Sequence, residues 1–347
     1  MRFYTQQHQH YCGVDLHTKM MYLCILSQEG EIVLHRNLKT DAKAFLAAIA
    51  PYREGLVVGV ECIFCWYWLA DLCAREGIAF VLGHALYMKA IHGGKVKNDK
   101  VDAYKIAGLL RGGMFPQAYV YPSAMRATRD LLRRRQYLVQ RRAELLAHVQ
   151  NTNSQYNLEP LDKKLDRKRN RVDVPQHFAD VAVRKSIEVD LALLDELDGL
   201  IKQLEAHLVR EVKVHDPRSW YRLRSVPGIG QVLGLVMLYE IHDIERFPSA
   251  QDFCSYARLV KCAKQSAGKN YGYSGKKIGN AHLKWAFSEA VRLMMRELPQ
   301  AKAFVDTQAN KHGKGKAMSI LAHKLGRAVY CMLKRNEAFD VKYFFAK

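Results

Sequence analysis

The 347-residue sequence predicts an α/β domain, then a long helical region, then a mainly α-helical C-terminal part. Short β-branched runs alternate with amphipathic stretches up to residue 121, which is typical of an α/β domain. Residues 123–158 and 177–212 then have helical periodicity, and the first of these stretches contains no Gly or Pro. We therefore predict three domains, with the ranges 1–121, 122–214 and 215–347.

The individual elements follow from the same patterns. In the first domain, residues 11–26 predict one strand with polar interruptions, and further strands are predicted at 32–36, 55–60 and 78–82. Helices are predicted at 41–50, 66–76 and 100–111. The two long amphipathic helices are joined by the basic connector 159–176, so they predict an antiparallel hairpin or a coiled-coil linker.

The charge is strongly basic and unevenly distributed. The formal net charge is +20. Residues 1–120 contain 13 Lys/Arg and 10 Asp/Glu, whereas the remainder contains 41 and 24. Such an excess of positive charge predicts a polyanionic partner. Nucleic acid is the first candidate, and an anionic membrane surface is the second.

Membrane insertion and disulfide bonding are not predicted. No segment has the roughly 18 uncharged apolar residues that a membrane span needs, and the N-terminus is polar, so a cytoplasmic protein is expected. The eight cysteines are scattered and read as buried thiols of a reducing compartment. Cys62 and Cys65 form one CxxC pair, but a zinc site would need two more ligands.

Two carboxylates stand at buried strands. Asp15 lies in the apolar run Gly13-Val-Asp15-Leu16, and Glu61 directly follows the run Val57–Val60. A carboxylate inside a core strand costs several kcal/mol unless it is paired or bound to a metal, as the transfer of charge from water requires. Asp15 as a turn residue, or Glu61 paired with Arg75, are the alternatives.

Two further acids, Asp99 and Asp102, lie three residues apart at a predicted helix start. This spacing puts both on one helix face, although an N-cap and a first-turn acid would look the same. Together with Asp15 and Glu61 they form the hard oxygen set that a two-metal phosphoryl-transfer site needs. The sequence therefore predicts a Mg²⁺ site.

A basic, glycine-rich stretch in the C-terminal part contains no acid between Asp252 and Glu289. Its glycines would let backbone amides approach phosphates, and its tyrosines could stack on bases. A solvated lysine loop is the alternative. The residues predicted to bind nucleic acid here are Lys264, Lys269, Lys276 and Lys277. Ser266 and Ser274 are both candidate nucleophiles, and chemistry alone does not choose between them.

The motif Pro227-Gly228-Ile229-Gly230 precedes an apolar helix. This pattern is typical of a helix-hairpin-helix element, in which backbone amides at a glycine turn hold a DNA phosphate. We therefore predict that Gly228 and Gly230 bind nucleic acid. A plain corner between two helices is the alternative.

The segments GVDLHTK at 13–19 and KNDKVDAYKIA at 97–107, with Glu61 after VVGV, resemble the DEDD transposases of the IS one-ten insertion-sequence family. That family also includes a pilin-gene DNA invertase. The resemblance covers essentially the whole chain. It implies a RuvC-like, RNase H-type N-terminal fold in which Asp15, Glu61, Asp99 and Asp102 bind Mg²⁺. One departure is the bulky run Cys62–Trp66, where many members have a small residue and a glycine.

The resemblance also chooses the nucleophile. QSA at 265–267 and GNAHLK at 279–284 are similar to the family's QSG-like motif and the helix start that follows it. The resemblance therefore implies that Ser266 is catalytic and forms a transient serine–DNA phosphodiester. It further implies double-stranded DNA as substrate, a bridge non-coding RNA that selects donor and target DNA, and a homodimer or homotetramer with composite sites.

The leading hypothesis is thus a transposase or site-specific recombinase that performs DNA strand exchange. A Holliday-junction resolvase-like nuclease would use the four acids with water and would not need Ser266. A DNA invertase would use the same residues on other DNA. A non-catalytic nucleic-acid-binding protein would need the basic surfaces and none of the acids.

Overall fold

A computed structural model describes residues 2–91, 98–161, 164–274 and 278–346. The chain divides into two compact units, Met1–Ser123 and Ala124–Lys347. In the second unit, Leu132 and Leu208 of the long helices belong to the same core as the C-terminal helices. The division into three domains with boundaries at 121 and 214 stays a prediction.

The first unit combines strands and helices. Its strands are β1 (Phe3–Tyr4), β2 (His10–Leu16), β3 (Met20–Ser27), β4 (Ile32–Lys39), β5 (Leu56–Glu61), β6 (Ala79–Gly83) and β7 (Phe115–Pro116). Its helices are α1 (Ala42–Ile49), α2 (Tyr67–Arg75), α3 (Ala85–Ile91) and α4 (Asp99–Arg111). The N-terminal part is therefore mixed α/β, as the alternation of patterns predicts.

Five strands form the main sheet, in the order β4-β3-β2-β5-β6. β3 pairs antiparallel with both β2 and β4. β5 pairs parallel with both β2 and β6. β2 is thus the strand at which the antiparallel hairpins meet the parallel part, and it ends beside the end of β5.

The prediction of one strand over residues 11–26 is wrong. The structure has two antiparallel strands, β2 and β3, joined by a turn at His17, Thr18 and Lys19. These three polar residues leave the sheet because they offer no apolar side chain for either covered face. The turn closes with a hydrogen bond from the His17 amide to the Met20 carbonyl, at 3.1 Å.

Helices cover both faces of the sheet. Because side chains alternate along a strand, Cys12, Val14 and Leu16 of β2 pack into the cluster that contains Phe45 of α1 and Leu69 of α2. On the opposite face, Tyr11 of β2 and Val57 of β5 pack with α4 through residues such as Ala103, Ile106 and Leu110. The residues of β2 and β5 with odd numbers therefore face α4.

The second unit is mostly helical. Its helices are α5 (Ser123–Gln155), α6 (Val181–His215), α7 (Pro217–Arg224), α8 (Gln231–Ile241), α9 (Ala250–Tyr256), α10 (Ala281–Glu297), α11 (Pro299–His312), α12 (Lys314–Arg335) and α13 (Val341–Phe345). Two strands, β8 (Cys262–Ser266) and β9 (Lys269–Ser274), pair antiparallel. Within the described ranges, no helix is long and apolar enough to cross a membrane.

The long helices α5 and α6 run antiparallel, as their side-chain ion pairs demonstrate. Successive pairs along the two helices are Arg135–Glu205, Arg142–Asp198 and His148–Asp190. At the far end, Val149, Phe178 and Ile187 form an apolar cluster with the connector. Coiled-coil packing between the two helices stays a prediction.

Candidate carboxylate site and serine hairpin

Asp15 and Glu61 lie side by side at the ends of two parallel strands. The register pairs Val14 of β2 with Val60 of β5, and each acid is the next residue in its strand. Both have odd numbers, so both side chains project to the face covered by α4. The sheet therefore brings together two acids that are 46 positions apart in the sequence.

Helix α4 brings the other two acids to this face. Asn98 is its N-cap, and the Asn98 side chain accepts a hydrogen bond from the Lys100 amide at 2.9 Å. Asp99 and Asp102 occupy the first turn. The alternative in which Asp99 is the N-cap does not hold, because Asn98 fills that position. Asp102 also accepts a hydrogen bond from Lys105 at 3.3 Å.

Close packing of α4 on β2 depends on Gly13. A Cβ at Gly13 would lie 2.2 Å from the Ala103 carbonyl oxygen and 2.4 Å from the Ala107 amide nitrogen. Ala103 itself is fully buried. The glycine two residues before Asp15 and the alanine directly after Asp102 therefore set how closely the acids of the helix approach Asp15.

The structure adds His17, a residue to which the sequence analysis assigned no role. Its Nε2 atom lies 3.4 Å from Oδ2 of Asp15 and 3.7 Å from Oδ1 of Asp99. One ligand atom from each of these three residues lies within 4.8 Å of the others. The signal that could have found it is the turn between β2 and β3, because a turn at this point folds His17 back beside Asp15.

The Asp15 carboxyl is mostly buried and lies beside other carboxyl groups. Burial raises the pKa of the Asp15 carboxyl, and the charges of Asp99 and Asp102 raise this pKa further, whereas His17 lowers it. The Asp15 side chain is only 17% exposed. Hard carboxylate oxygens that repel one another are the donor set that a divalent cation neutralises. The residues present therefore fit a divalent metal.

The bulky run after Glu61 leaves that residue in register. Glu61 still pairs with Gly83 of β6. Trp66 is buried in the core, and the Cys65 thiol donates a hydrogen bond to the Leu16 carbonyl at 3.4 Å. The run Cys62–Trp66 is thus accommodated by packing its indole inward instead of by a glycine turn.

Ser266 lies at the tip of a β-hairpin, where the sequence predicted only a glycine-rich loop. It is the last residue of β8, is exposed, and pairs with Lys269 across a two-residue turn. The turn residues Ala267 and Gly268 have φ angles of 48° and 74°. A type I′ hairpin turn has positive φ at both of its central residues, so Ala267 occupies a conformation that glycine adopts with less strain.

The predicted lysines are only partly described. Lys269 is exposed beside Ser266, and the aromatic ring of Tyr271 is exposed on the same strand. Lys264 lies on β8, but its side chain is outside the described part of the structure. Lys276 and Lys277 lie outside the described residues.

The loop from Ser225 to Gly230 joins α7 to α8, but its two glycines differ. The Gly228 amide donates a hydrogen bond to the Glu297 carboxylate at 2.8 Å, and a Cβ at Gly228 would lie 2.4 Å from the Met294 amide nitrogen. The predicted phosphate contact through Gly228 is therefore not available in this structure. Gly230 is exposed and is the N-cap of α8.

A second carboxylate cluster lies inside the C-terminal core. Glu240 of α8, only 1% exposed, accepts hydrogen bonds from Arg129 at 3.1 Å and from Arg133 at 2.7 Å. It also accepts one from Asn280, the N-cap of α10, at 2.7 Å. Burial alone would raise the pKa of Glu240, but these partners lower it to about 2. The sequence analysis did not identify this cluster.

The N-terminal carboxylates and His17 form a group that could hold a metal ion, and comparison with known proteins identifies the family. A DEDD transposase family profile, described as "Transposase", matches residues 12–157 and so includes all four acids. The profile described as "Transposase IS116/IS110/IS902 family" matches residues 221–306, which include Ser266. The chain belongs to this IS110 family of transposases and is a DNA-cleaving and DNA-recombining enzyme.

Individual relatives agree with the family profiles. The transposase for insertion sequence element IS1111A of Coxiella burnetii is 22% identical over 337 residues, covering 94% of this chain and 90% of the relative. The transposase for IS1328 of Yersinia enterocolitica is 25% identical over 41% of this chain and 44% of its own length. An uncharacterized 43.6 kDa protein of the IS110 element of Streptomyces coelicolor is 29% identical over 34% and 29%, respectively.

Proposed function

We propose that this transposase exchanges DNA strands for an insertion sequence, with Asp15, Glu61, Asp99 and Asp102 as Mg²⁺ ligands and Ser266 as nucleophile. The observation that carries the proposal is the convergence at one edge of the sheet. Two acids at equal register on parallel strands face the first turn of α4, which contributes the other two.

A RuvC-like, RNase H-type fold for the N-terminal unit is part of the proposal. Its support is the topology of the sheet, in which three antiparallel strands in sequence are followed by two parallel strands added beside the first. In such a sheet the end of the first strand and the end of the fourth are neighbours. This is where Asp15 and Glu61 lie.

The residues of the carboxylate site divide their roles by burial. Asp15 is held by the sheet and is mostly buried, so it provides the fixed anchor of the site. Asp99 is more exposed and approaches from the helix. When bound, Mg²⁺ supplies neutralisation of the phosphate charge and activation of the attacking and leaving oxygens. A divalent metal would offset the mutual repulsion of these carboxylates.

Ser266 is proposed to act by covalent catalysis. Its hydroxyl oxygen would form an ester bond with a DNA phosphorus atom, and the deoxyribose oxygen would leave with a proton. A deoxyribose hydroxyl of another strand would later attack the same phosphorus atom and release the serine with a proton. Exposure at a hairpin tip allows a duplex to reach the hydroxyl. The absence of acids from residues 253–288 keeps phosphate repulsion low.

The partners proposed are double-stranded DNA and a bridge RNA. The net charge of +17 over residues 121–347 supports polyanion binding, with Lys269 and Gly230 among the contacts. A homodimer or homotetramer is proposed as well, since Leu193 and Leu200 of α6 are exposed apolar side chains on one long helix. Composite sites formed from different subunits would follow.

The test is recombination of a plasmid that carries the element's ends. Asp15→Ala, Asp102→Ala and Ser266→Ala are each expected to lower recombination on the order of a thousandfold or more while DNA binding persists, because each removes a reacting or metal-holding group. Ser266→Ala should also eliminate the protein–DNA adduct that survives denaturing electrophoresis in the unsubstituted enzyme.

Matched controls are Ser274→Ala, a serine on the same hairpin, and Glu54→Ala, an exposed acid of the first unit. Both should recombine normally. Normal strand exchange by Ser266→Ala would contradict the serine mechanism and favour a resolvase-like nuclease. Normal recombination by Asp15→Ala and Asp102→Ala as well would favour a non-catalytic binding protein. Loss of activity on ribonuclease treatment, and its return with the copurified RNA, would test the RNA partner.

A further inference from the structure

His17 is fixed at the rim of the carboxylate site by its own backbone. Its amide donates a hydrogen bond to the Met20 carbonyl. Its carbonyl accepts a hydrogen bond from the Thr40 hydroxyl at 2.8 Å. The turn is therefore hydrogen-bonded to Met20 of β3 and to Thr40, which directly follows β4. The half-exposed imidazole lies between the side chains of Asp15 and Asp99.

The separations suit ligands that share one ion. Ligand atoms that each lie about 2.1 Å from an octahedral ion are roughly 3.0 Å apart when adjacent and roughly 4.2 Å apart when opposite. The His17 Nε2 atom lies 3.4 Å and 3.7 Å from the two carboxylate oxygens, between these limits. A small movement of exposed side chains would bring all three atoms to ligand distance.

The chemistry of the third donor differs from that of the other two. Mg²⁺ is bound almost entirely by oxygen, whereas first-row transition ions accept imidazole nitrogen together with carboxylate. A carboxylate cluster with one well-placed imidazole therefore distinguishes ions that four carboxylates alone would not. Among the described residues, His207 is another exposed histidine, and it forms its ion pair with a single carboxylate, that of Glu211.

We propose that His17 is a metal ligand, which together with Asp15 and Asp99 makes the site bind Mn²⁺ more tightly than Mg²⁺. This inference rests on the proposed function of the carboxylate site. His17 lies two positions after Asp15, so one short segment provides both the anchoring carboxylate and the nitrogen ligand. The nitrogen ligand makes the site prefer Mn²⁺ over Mg²⁺.

The test is Mn²⁺ binding to the full-length protein without DNA, measured by electron paramagnetic resonance. Titration gives the affinity, and pulsed measurements detect coupling of Mn²⁺ to a ¹⁴N nucleus. The unsubstituted protein is expected to show this coupling. His17→Ala and His17→Gln should lack it and should bind Mn²⁺ about tenfold more weakly, which corresponds to about 1.4 kcal/mol. Their Mg²⁺ affinity should change less than threefold, since Mg²⁺ gains little from nitrogen.

His207→Gln is the matched control and should keep the ¹⁴N coupling. Persistence of the coupling in His17→Ala, or Mn²⁺ binding by the unsubstituted protein without any coupling, would overturn the ligand role and leave the carboxylate site intact. Failure of the unsubstituted protein to bind Mn²⁺ or Mg²⁺ would overturn the metal site itself. Thermal unfolding of each variant without metal checks that the fold is unchanged.

Discussion

Each unit of the molecule has a carboxylate in an apolar run, and the two units shift the pKa of that carboxylate in opposite directions. Asp15 lies in Gly13-Val-Asp15-Leu16 and Glu240 lies in Leu238-Tyr-Glu240-Ile241, so the local sequence patterns are alike. Yet the pKa of Asp15 is raised by burial and by neighbouring acids, whereas two arginines and Asn280 lower the pKa of Glu240 to about 2. Among the described residues, no arginine or lysine forms an ion pair with Asp15, whereas Glu240 has two arginine partners within its own unit.

This difference separates a site that binds a cation from one that holds the fold together. Glu240 joins α5, through Arg129 and Arg133, to the start of α10. Glu240 is 1% exposed and Arg129 is 11% exposed, so removal of one partner leaves charge buried. Asp15 lies among acids that open to solvent through Asp99 and His17. In this protein, the acid that arginines neutralise stabilises the core, and the acid grouped with other acids belongs to the candidate metal site.

The largest effect on stability is expected for Glu240→Gln. The neutral amide removes the buried counter-charge that Glu240 provides to Arg129 and Arg133, so the free energy of unfolding should fall by about 3–5 kcal/mol. Urea unfolding followed by tryptophan fluorescence measures the change. Glu144→Gln, which breaks an exposed pair with Arg141, should change it by less than about 1 kcal/mol. Equal effects of the two substitutions would refute the structural role of Glu240.

A smaller effect is expected where α4 meets the sheet. Gly13→Ala should lower the free energy of unfolding by about 1–3 kcal/mol, because the added Cβ meets the backbone of α4. It should also weaken metal binding, since the helix that contributes Asp99 and Asp102 moves away from Asp15. Gly108→Ala, on α4 with open space around it, should stabilise by up to about 1 kcal/mol. Thermal unfolding measures the stability changes, and metal titration measures the binding change. A change in the free energy of unfolding with the same sign for Gly13→Ala and Gly108→Ala would contradict this packing.

The smallest effect is expected for Asp15→Asn measured in EDTA. The folded-state pKa of Asp15 is raised above its ordinary value of 3.8, so the charged carboxylate destabilises the fold once the pH exceeds that value. The amide should therefore increase the free energy of unfolding at neutral pH by up to about 1 kcal/mol, as linkage predicts. This gain should disappear as the pH falls below 3.8.

Glu240 should give the opposite pH dependence in the same experiment. Its pKa is lowered from 4.5 to about 2, so its contribution to stability is complete above 4.5 and is lost as the pH falls toward 2. Chemical unfolding at several pH values measures both trends, and Glu54→Gln serves as the exposed control. Destabilisation by Asp15→Asn in EDTA at pH 7 would mean that Asp15 already has a compensating partner.

The sequence predicted the parts of the site that depend on local spacing. The i, i+3 pair Asp99/Asp102, Asp15 within one apolar run and Glu61 directly after another follow from sequence patterns, and the structure has helix α4 and strands β2 and β5 where these patterns indicate. The histidines show no metal-ligand spacing in the sequence, and only the turn between β2 and β3 brings the His17 imidazole beside Asp15. Apolar periodicity predicts one strand over residues 11–26 and so does not indicate this turn.

The C-terminal unit was less predictable. Glu240 lies 111 positions from Arg129 and 40 from Asn280 in the sequence, so nothing near it reveals its partners. The Gly228 amide was predicted to hold a phosphate, but Glu297 at the end of α10 occupies it. Lysines and glycines mask the strand pattern of the hairpin that presents Ser266, so the sequence predicts a loop there. For Glu240 and Gly228, contacts between distant elements decided the outcome.

Calorimetric titration of Mg²⁺ into the full-length protein tests most directly whether the Asp15 cluster is a metal site. The unsubstituted protein and Glu54→Gln are expected to bind Mg²⁺ with the same affinity. Asp15→Asn and Asp102→Asn should each bind at least tenfold more weakly, a loss of about 1.4 kcal/mol or more. Equal Mg²⁺ affinity in all four proteins would contradict the assignment of these carboxylates as the metal ligands of this transposase.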